Sequence, residues 1–306
     1  MVDFRSLTLK QLRALTTTVE QGTVTAAAKA LHLTPPAVTT QLKLLEKNIG
    51  APIFDRSSDG FVPTEVGDEI LAAAEMIENR LVLARERVEA LVSGAAGTVV
   101  VGVVSTGKYF APFIIAGFQK AFPNIRVKLS IGNRGEVISA LERDEFDLAI
   151  MGRPPANVAV ERSMLGDHPH VLIAPPDHRL AGDSHILVED LLKERFLARE
   201  PGSGTRLLME RFLDRISHGR NFEVIEMGTN ETIKQAVMAG LGLAIISAHT
   251  CYSELTEGKL AALQFSGLPL VRQWYLIRRS DHPPNKATEI FQSYLLEHRE
   301  TFIPRV

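Results

Sequence analysis

Residues 23–56 read TVTAAAKALHLTPPAVTTQLKLLEKNIGAPIFDR, and the fold is decided in this stretch. From Thr25, the residues Ala26, Ala27, Ala28 and Ala30 give a short helix of high propensity and small girth, against which a second helix can cross closely. The run breaks at His32–Thr34. Thr34 is placed to cap the next helix, whose first turn accepts Pro35 and Pro36 because a proline there lacks only an amide hydrogen that has no intrahelical partner. Val38, Leu42, Leu45 and Ile49 recur at helical intervals and form its buried stripe. Pro36, Thr39, Thr40, Lys43 and Lys47 fall on the opposite side. A helix that reads a major groove needs short hydroxylic side chains near its N-terminus and lysines further on, although the solvated face of any small bundle has a similar composition.

Toward the N-terminus, Thr8 and Gln11 form a capping box, and Leu12, Leu15 and Val19 keep helical spacing until Gly22. Three helices result. On the other side, residues 51–64 (APIFDRSSDGFVPT) predict a short hairpin: Ile53 and Phe54, a turn at Ser57–Gly60, then Phe61 and Val62. A hairpin after such a trio makes a wing. Arg56 at its base is positioned for a phosphate, or else pairs with Asp55 or Asp59. From Thr64 a long helix begins, with Glu65, Asp68 and Glu69 in the first turn, where the helix dipole favours acids. Ile70, Ala74, Ile77, Leu81, Ala84, Val88 and Leu91 follow a four-three alternation, flanked by the charged Glu75, Glu78, Arg80, Arg85, Glu86, Arg87 and Glu89. That pattern favours a seam between two chains over burial in one core. Residues 93–97 (SGAAG) read as a linker.

Beyond Gly97 the period changes. Strands are expected at Val99–Val104, Val127–Ile131, Leu148–Met151, His170–Ala174, Phe222–Met227 and Leu243–Ser247. Helices are expected over Phe110–Phe122 and Glu136–Glu142 and from Thr205 and Asn230. Such βαβ units imply a mainly parallel sheet, here as two α/β lobes with a cleft between them.

The chain has 306 residues, 34 basic against 36 acidic side chains, one cysteine and 45% apolar residues, enough for two or three domains with cores. Ala236–Thr250 is its longest stretch tempting a membrane reading, but Gly240 and Gly242 interrupt it and it falls short of the roughly 20 apolar residues a span needs. No secretion pattern marks Met1–Thr18, so a cytoplasmic location is expected. Cys251 has no intrachain disulfide partner. The charge is uneven: residues 1–60 carry seven basic and five acidic side chains, residues 61–93 three and seven.

Gly102-Val-Val-Ser-Thr-Gly107-Lys108-Tyr109 comes close to a phosphate-binding loop but ends in Tyr109 where that loop needs a Ser or Thr for magnesium, which argues against nucleotide hydrolysis. What remains is a strand end with Ser105, Thr106 and the free amides of a helix start, a setting that favours an anion. Ser203, Gly204, Thr205 and Arg206 precede one later helix, and Thr229 and Asn230 another. With Lys108, Arg134, Arg153 and Arg206 as countercharges, these segments point to a small anionic ligand in the cleft. His168 and His170 read as surface or packing residues. No GxSxG elbow, thiolate cluster or metal-ligand spacing suggests an enzyme, a metal or a cofactor.

At Thr23–Arg56 the chain resembles the LysR-type transcriptional regulators, and the resemblance extends over its whole length. It implies a winged helix-turn-helix domain at 1–63, a linker and dimerisation helix at 64–93, and a two-lobed α/β effector domain resembling periplasmic binding proteins at 94–306. Lobe I would comprise 97–164 and 269–306, and lobe II 165–268. Val104–Pro112 (VSTGKYFAP) and Asp147–Pro155 (DLAIMGRPP) look like the branch that activates Calvin-cycle carbon-fixation operons. By this resemblance the protein binds promoter DNA as a homo-oligomer, commonly a dimer of dimers, and engages RNA polymerase. Thr34, Pro35, Pro36, Thr39, Thr40 and Lys43 would read DNA, and Arg56 would touch its backbone. A phosphorylated or nucleotide metabolite such as a sugar phosphate, phosphoenolpyruvate or NADPH would meet Ser105, Thr106, Ser203–Arg206 and Thr229. Many family members have glutamine where this chain has Pro35, so an adenine contact is lost or replaced. The alternatives are a family member serving another pathway, such as aromatic catabolism, and a cytosolic small-molecule-binding protein.

Overall fold

The computed structural model describes residues 4–55, 61–92, 97–183 and 185–302. Arg56, the turn at 57–60 and the linker at 93–96 lie outside the described residues, as do the side chains of Glu86, Arg87, Glu89 and Leu91. The chain divides into two compact units, Met1–Arg85 and Glu86–Val306, so the division falls within the long helix expected at 64–93.

The first unit contains α1 (Leu9–Gln21), α2 (Val24–Ala30), α3 (Pro35–Ile49) and most of α4 (Glu65–Val92). The capping box of α1 is present: Thr8 Oγ1 accepts from the Gln11 amide at 3.4 Å, and Gln11 Oε1 accepts from the Thr8 amide at 3.0 Å. Thr34 occupies the cap position of α3, but its side chain makes no capping bond. Pro35 and Pro36 have no amide hydrogen, and the next amide, of Ala37, already donates to the Thr34 carbonyl at 2.9 Å. Leu15, Ala27, Val38, Leu45, Ile53 and Ala74 make the core. The wing is short: Phe54 bridges Pro63, the Asp55 amide donates to the Val62 carbonyl at 2.8 Å, and Phe54 meets Phe61 edge-on. The start of α4 packs so close to it that a Cβ on Gly67 would lie 2.1 Å from the Ile53 carbonyl oxygen. The heptad positions divide. Ile70 and Ala74 are buried in this core, whereas Ile77, Leu81 and Val88 are 40%, 40% and 57% exposed.

The second unit runs β1 (Gly97–Val104), α5 (Ala111–Ala121), β2 (Ile125–Gly132), α6 (Arg134–Glu142), β3 (Leu148–Met151), β4 (Val160–Ala174), α7 (Val188–Leu191) and β5 (Arg195–Ala198). It continues with α8 (Gly204–Ser217), β6 (Glu223–Glu226), α9 (Asn230–Met238), β7 (Ala244–Ser247), α10 (Tyr252–Thr256), β8 (Ala261–Ala262), β9 (Leu270–Arg279), α11 (Lys286–Glu297) and α12 (Arg299–Phe302). Among the described residues the main sheet has the order β2-β1-β3-β9-β4-β7, with β8 beside β4. β1 is buried along nearly its whole length, as a strand flanked by parallel neighbours and covered on both faces must be. The sheet is mixed rather than mainly parallel, because β9 runs antiparallel to both β3 and β4, and β4 antiparallel to β7.

β4 and β9 organise this unit. They pair from Val160–Arg279 to His170–Leu270, with a register shift between Met164 and Gly166. β4 then continues past this pairing to bond β7, so one strand serves two cores. The first core gathers Val101, Phe118, Ile150, Trp274 and Phe291; the second gathers Leu172, Phe196, Met209, Phe212 and Ile245. The expected lobe boundary at 164/165 falls inside this continuous strand, at its bulge. No helix among the described residues is long and apolar enough to cross a membrane.

Candidate functional site

A cavity of about 780 Å³ opens in the second unit where these strands meet the starts of α6 and α8. Two helix N-termini are brought together there: the Gly135 amide in the first turn of α6 donates to the Gly202 carbonyl, just before α8, at 3.1 Å. Asn133 caps α6 through a reciprocal bond with Glu136, which fixes where Arg134 leaves the helix. Ser203 and Thr205, both buried, open α8. Opposite them, Ser105 and Thr106 end β1 on a short 3-10 turn.

Five arginines line this cavity: Arg134, Arg153, Arg162, Arg211 and Arg272. No carboxylate lines it among the described residues, and none of the five is held in an ion pair there. The Arg134 guanidinium is half-buried, and burial together with the charges of Arg153 and Arg211 holds it below its ordinary value. Uncompensated positive charge in a concave site favours an anion by direct Coulomb attraction and by bidentate hydrogen bonding.

Of the residues picked out in the sequence, Ser105, Thr106, Arg134, Arg153, Ser203, Gly204 and Thr205 line the cavity. Four others are engaged elsewhere. Arg206 donates to Glu210 at 2.8 Å and Glu226 at 2.6 Å, because two residues along a helix from Gly204 is the far side of the cylinder. Lys108 lies 3.4 Å from Glu231, which also accepts from the Tyr109 hydroxyl. Thr229 caps α9 through the Thr232 amide at 3.1 Å. Asn230 is buried and accepts from Arg199. The phosphate-loop resemblance dissolves likewise: a Cβ on Gly102 would strike the Phe146 ring at 2.3 Å, so that glycine answers to packing.

Four arginines that line the cavity or bond its lining escaped the sequence reading. Arg211 had a signal, since Gly204, Leu207, Leu208 and Arg211 stand at i, i+3, i+4 and i+7 and all line the cavity. Arg162 and Arg272 had none, because they lie within long strands whose pairing is non-local. Arg199, 4% exposed, donates to Ser105 at 3.2 Å and ion-pairs with Glu200 at 2.7 Å, tying β5 to the turn after β1.

Of the two readings the sequence left open, surface or packing, the structure takes packing: His168 and His170 are buried, and both also line the cavity. His168 stacks on Trp274 with ring centroids 3.8 Å apart, and its Nε2 lies 3.1 Å from Ser247 Oγ. Its Nδ1 has no hydrogen-bond partner among the described residues. Gly152 fits against that nitrogen, where a Cβ would lie 2.8 Å away. Burial holds both imidazoles below their ordinary values, His170 at about 4. Cys251 is buried and its thiol is pushed up to about 12, which removes the reactive thiolate at neutral pH. Among the described residues no cluster of three His, Cys, Asp or Glu is arranged to hold a metal ion.

In the first unit, α3 leaves Thr34, Pro35, Pro36, Thr40, Lys43 and Lys47 exposed and Thr39 half-buried. The Thr39 and Thr40 hydroxyls donate to the Pro35 and Pro36 carbonyls at 3.0 and 2.8 Å, leaving oxygen lone pairs outward.

Residues 9–68 match the model of the bacterial regulatory helix-turn-helix proteins of the lysR family, and residues 93–300 the LysR substrate binding domain. The chain is 45% identical to the HTH-type transcriptional regulator CbbR of Cereibacter sphaeroides over 99% of both chains. It is 39% identical to the RuBisCO operon transcriptional regulator of Allochromatium vinosum over 95% of this chain and 96% of that one. Among solved structures, the regulatory domain of Synechocystis PCC6803 CcmR in complex with 2-PG is 34% identical, with a TM-score of 0.63 over 66% of this chain and 97% of that one. Full-length CbnR complexed with its target DNA is 18% identical, with a TM-score of 0.68 over 96% of this chain and all of that one, a likeness of fold. The chain belongs to the LysR family of bacterial helix-turn-helix transcriptional regulators and is not an enzyme.

Proposed function

We propose that the protein regulates carbon-fixation genes, binding their promoters through α3 and the wing and responding to a small phosphorylated metabolite in the arginine-lined cavity. The observation that carries this reading is the cavity itself: five guanidinium groups and, among the described residues, no carboxylate. Its relatives named CbbR and RuBisCO operon regulator supply the pathway, and the 2-PG in the CcmR structure supplies a precedent for the ligand class. In this reading Thr34, Pro35, Pro36, Thr39, Thr40 and Lys43 face the DNA. The exposed Ile77, Leu81 and Val88 of α4 meet a second copy, so that paired reading heads match an interrupted inverted repeat. Ligand binding alters the spacing of the heads only by favouring one assembly geometry, and activation follows by engagement of RNA polymerase in the cytoplasm.

Footprinting on a carbon-fixation promoter, with salt titration and with 2-PG added, tests this directly. The expected result is a protected inverted repeat whose affinity falls steeply with salt and whose footprint changes with the metabolite. A promoter left unprotected, or a footprint indifferent to every phosphorylated metabolite tried, refutes it.

A further inference from the structure

The turn at Ser105–Tyr109, where the likeness to a phosphate-binding loop ends, is gripped at both ends. It packs on the first core through Val104 and Phe110, whereas the groups that grip it belong to β5 and α9, whose Leu197, Ile233 and Val237 fill a neighbouring core. At the near end Ser105 Oγ accepts from both terminal nitrogens of the buried Arg199 at 3.2 Å, and Arg199 is itself fixed by Glu200 at 2.7 Å and by Asn230. With its oxygen occupied by the guanidinium, the Ser105 hydroxyl keeps its hydrogen for an acceptor in the cavity that it lines. At the far end the Tyr109 hydroxyl donates to Glu231 in the first turn of α9, and Lys108 lies 3.4 Å from the same carboxylate. Lys234 backs that carboxylate at 3.1 Å and is anchored in turn by Glu254 at 2.7 Å and by the Thr250 carbonyl at 3.1 Å. Burial and Glu231 raise the Tyr109 phenol above its ordinary value, so it remains a donor. Neither Tyr109 nor Glu231 is among the residues that line the cavity, so what they contribute to it passes through the placement of Ser105 and Thr106. The seam is poised rather than locked: Asn230 Nδ2 and Thr250 Oγ1 are buried with no partner among the described residues, a burial that favours an arrangement in which they reach water.

We propose that the bond from Tyr109 to Glu231 is a clasp between the turn after β1 and the start of α9, and that Tyr109 is a positioning residue for the cavity: it seats the turn so that Ser105 and Thr106 present their hydroxyls to whatever enters. Clasp and occupancy are therefore linked. A ligand bonded to Ser105 and Thr106 keeps the turn seated and favours the clasp. A broken clasp lowers the fraction of molecules whose cavity is competent, and apparent affinity falls with that fraction. The inference rests on the cavity reading above and adds to it a pair of residues that hold the site without touching its ligand.

Hydrogen–deuterium exchange of the full chain without ligand, paired with calorimetric titration with 2-PG, tests the clasp. Tyr109→Phe keeps the ring, whose centroid lies 5.1 Å from Lys108 Nζ and 5.2 Å from Lys234 Nζ, and removes only the donor. It is expected to speed exchange of the amides at 105–110 and 229–233 and to weaken 2-PG about tenfold, the size of one hydrogen bond to a charged group. Glu231→Gln keeps an accepting oxygen and is expected to weaken 2-PG about threefold or less. Adding Tyr109→Phe to Glu231→Ala is expected to weaken 2-PG no further than Glu231→Ala alone. Unchanged exchange in Tyr109→Phe, an affinity for 2-PG indistinguishable from the parent's, or additive losses in the double variant overturns the clasp. A parent that binds no 2-PG strikes at the phosphorylated-metabolite reading instead, and the exchange result then decides the clasp alone.

Discussion

Arg206 and Arg211 stand five residues apart on α8 and have opposite fates. Arg206 is spent on Glu210 and Glu226 and on the Arg199 carbonyl, while Arg211 faces the cavity with no ion-pair partner among the described residues. Arg206→Ala is therefore expected to leave metabolite titrations unchanged and to lower stability by about 0.5 kcal/mol, the worth of a partly exposed ion pair, as read from urea unfolding. Gly152 is a more sensitive position. A methyl group there would sit 2.8 Å from His168 Nδ1, and His168 is held from behind by its stack on Trp274. Gly152→Ala is expected to cost about 1–3 kcal/mol, as overpacking does, and to narrow the cavity as well. Unfolding midpoints indistinguishable from those of the parent would show that the imidazole has room to retreat.

At the scale of elements, α3 is a surface helix whose stability comes from its buried stripe, so its outward side chains are free to serve DNA. Lys43→Ala is expected to leave Tm unchanged while lowering the slope of log affinity against log salt by about 0.9, one phosphate contact. An unchanged slope would remove Lys43 from the interface. The three N-terminal helices, the starts of α8 and α9 and the strand at Leu148–Met151 were legible in the sequence, because caps, prolines and periodicity are local signals. Those same signals found Ser105, Thr106, Ser203 and Thr205. They failed where chemistry depends on partners distant in the chain. β9 passes unnoticed because its alternation includes Arg272, Gln273 and Arg278, and its place beside β4 is set by a register joining residues about a hundred positions apart. Arg162 and Arg272 were invisible for the same reason. Thr34 failed differently: Pro36 removes one of the two amides a capping side chain can reach, and the other, of Ala37, is taken by the Thr34 carbonyl.

The whole molecule carries a pH dependence in its second unit. His170 has its value lowered from 6.5 to about 4 by burial, with His249 and Arg272 adding to it, so between those values the unfolded chain binds a proton that the folded chain refuses. Its contribution is complete above about pH 6.5 and is lost as pH falls toward 4; at pH 5 the loss is about 2 kcal/mol. His168 shifts in the same direction. The Tm of the protein is expected to fall by about 4–8 °C between pH 7.5 and pH 5, and His170→Gln to flatten that fall. The paired strands that carry these histidines set a further limit on the protein. A two-strand ribbon cannot slip by a single residue without turning every side chain of β4 to the wrong face, yet it twists at little expense, most readily where its ladder is interrupted at Met164 and Gly166. The two cores of this unit are thereby fastened along one shared strand, a joint that excludes a slide between them and leaves torsion as its softest deformation.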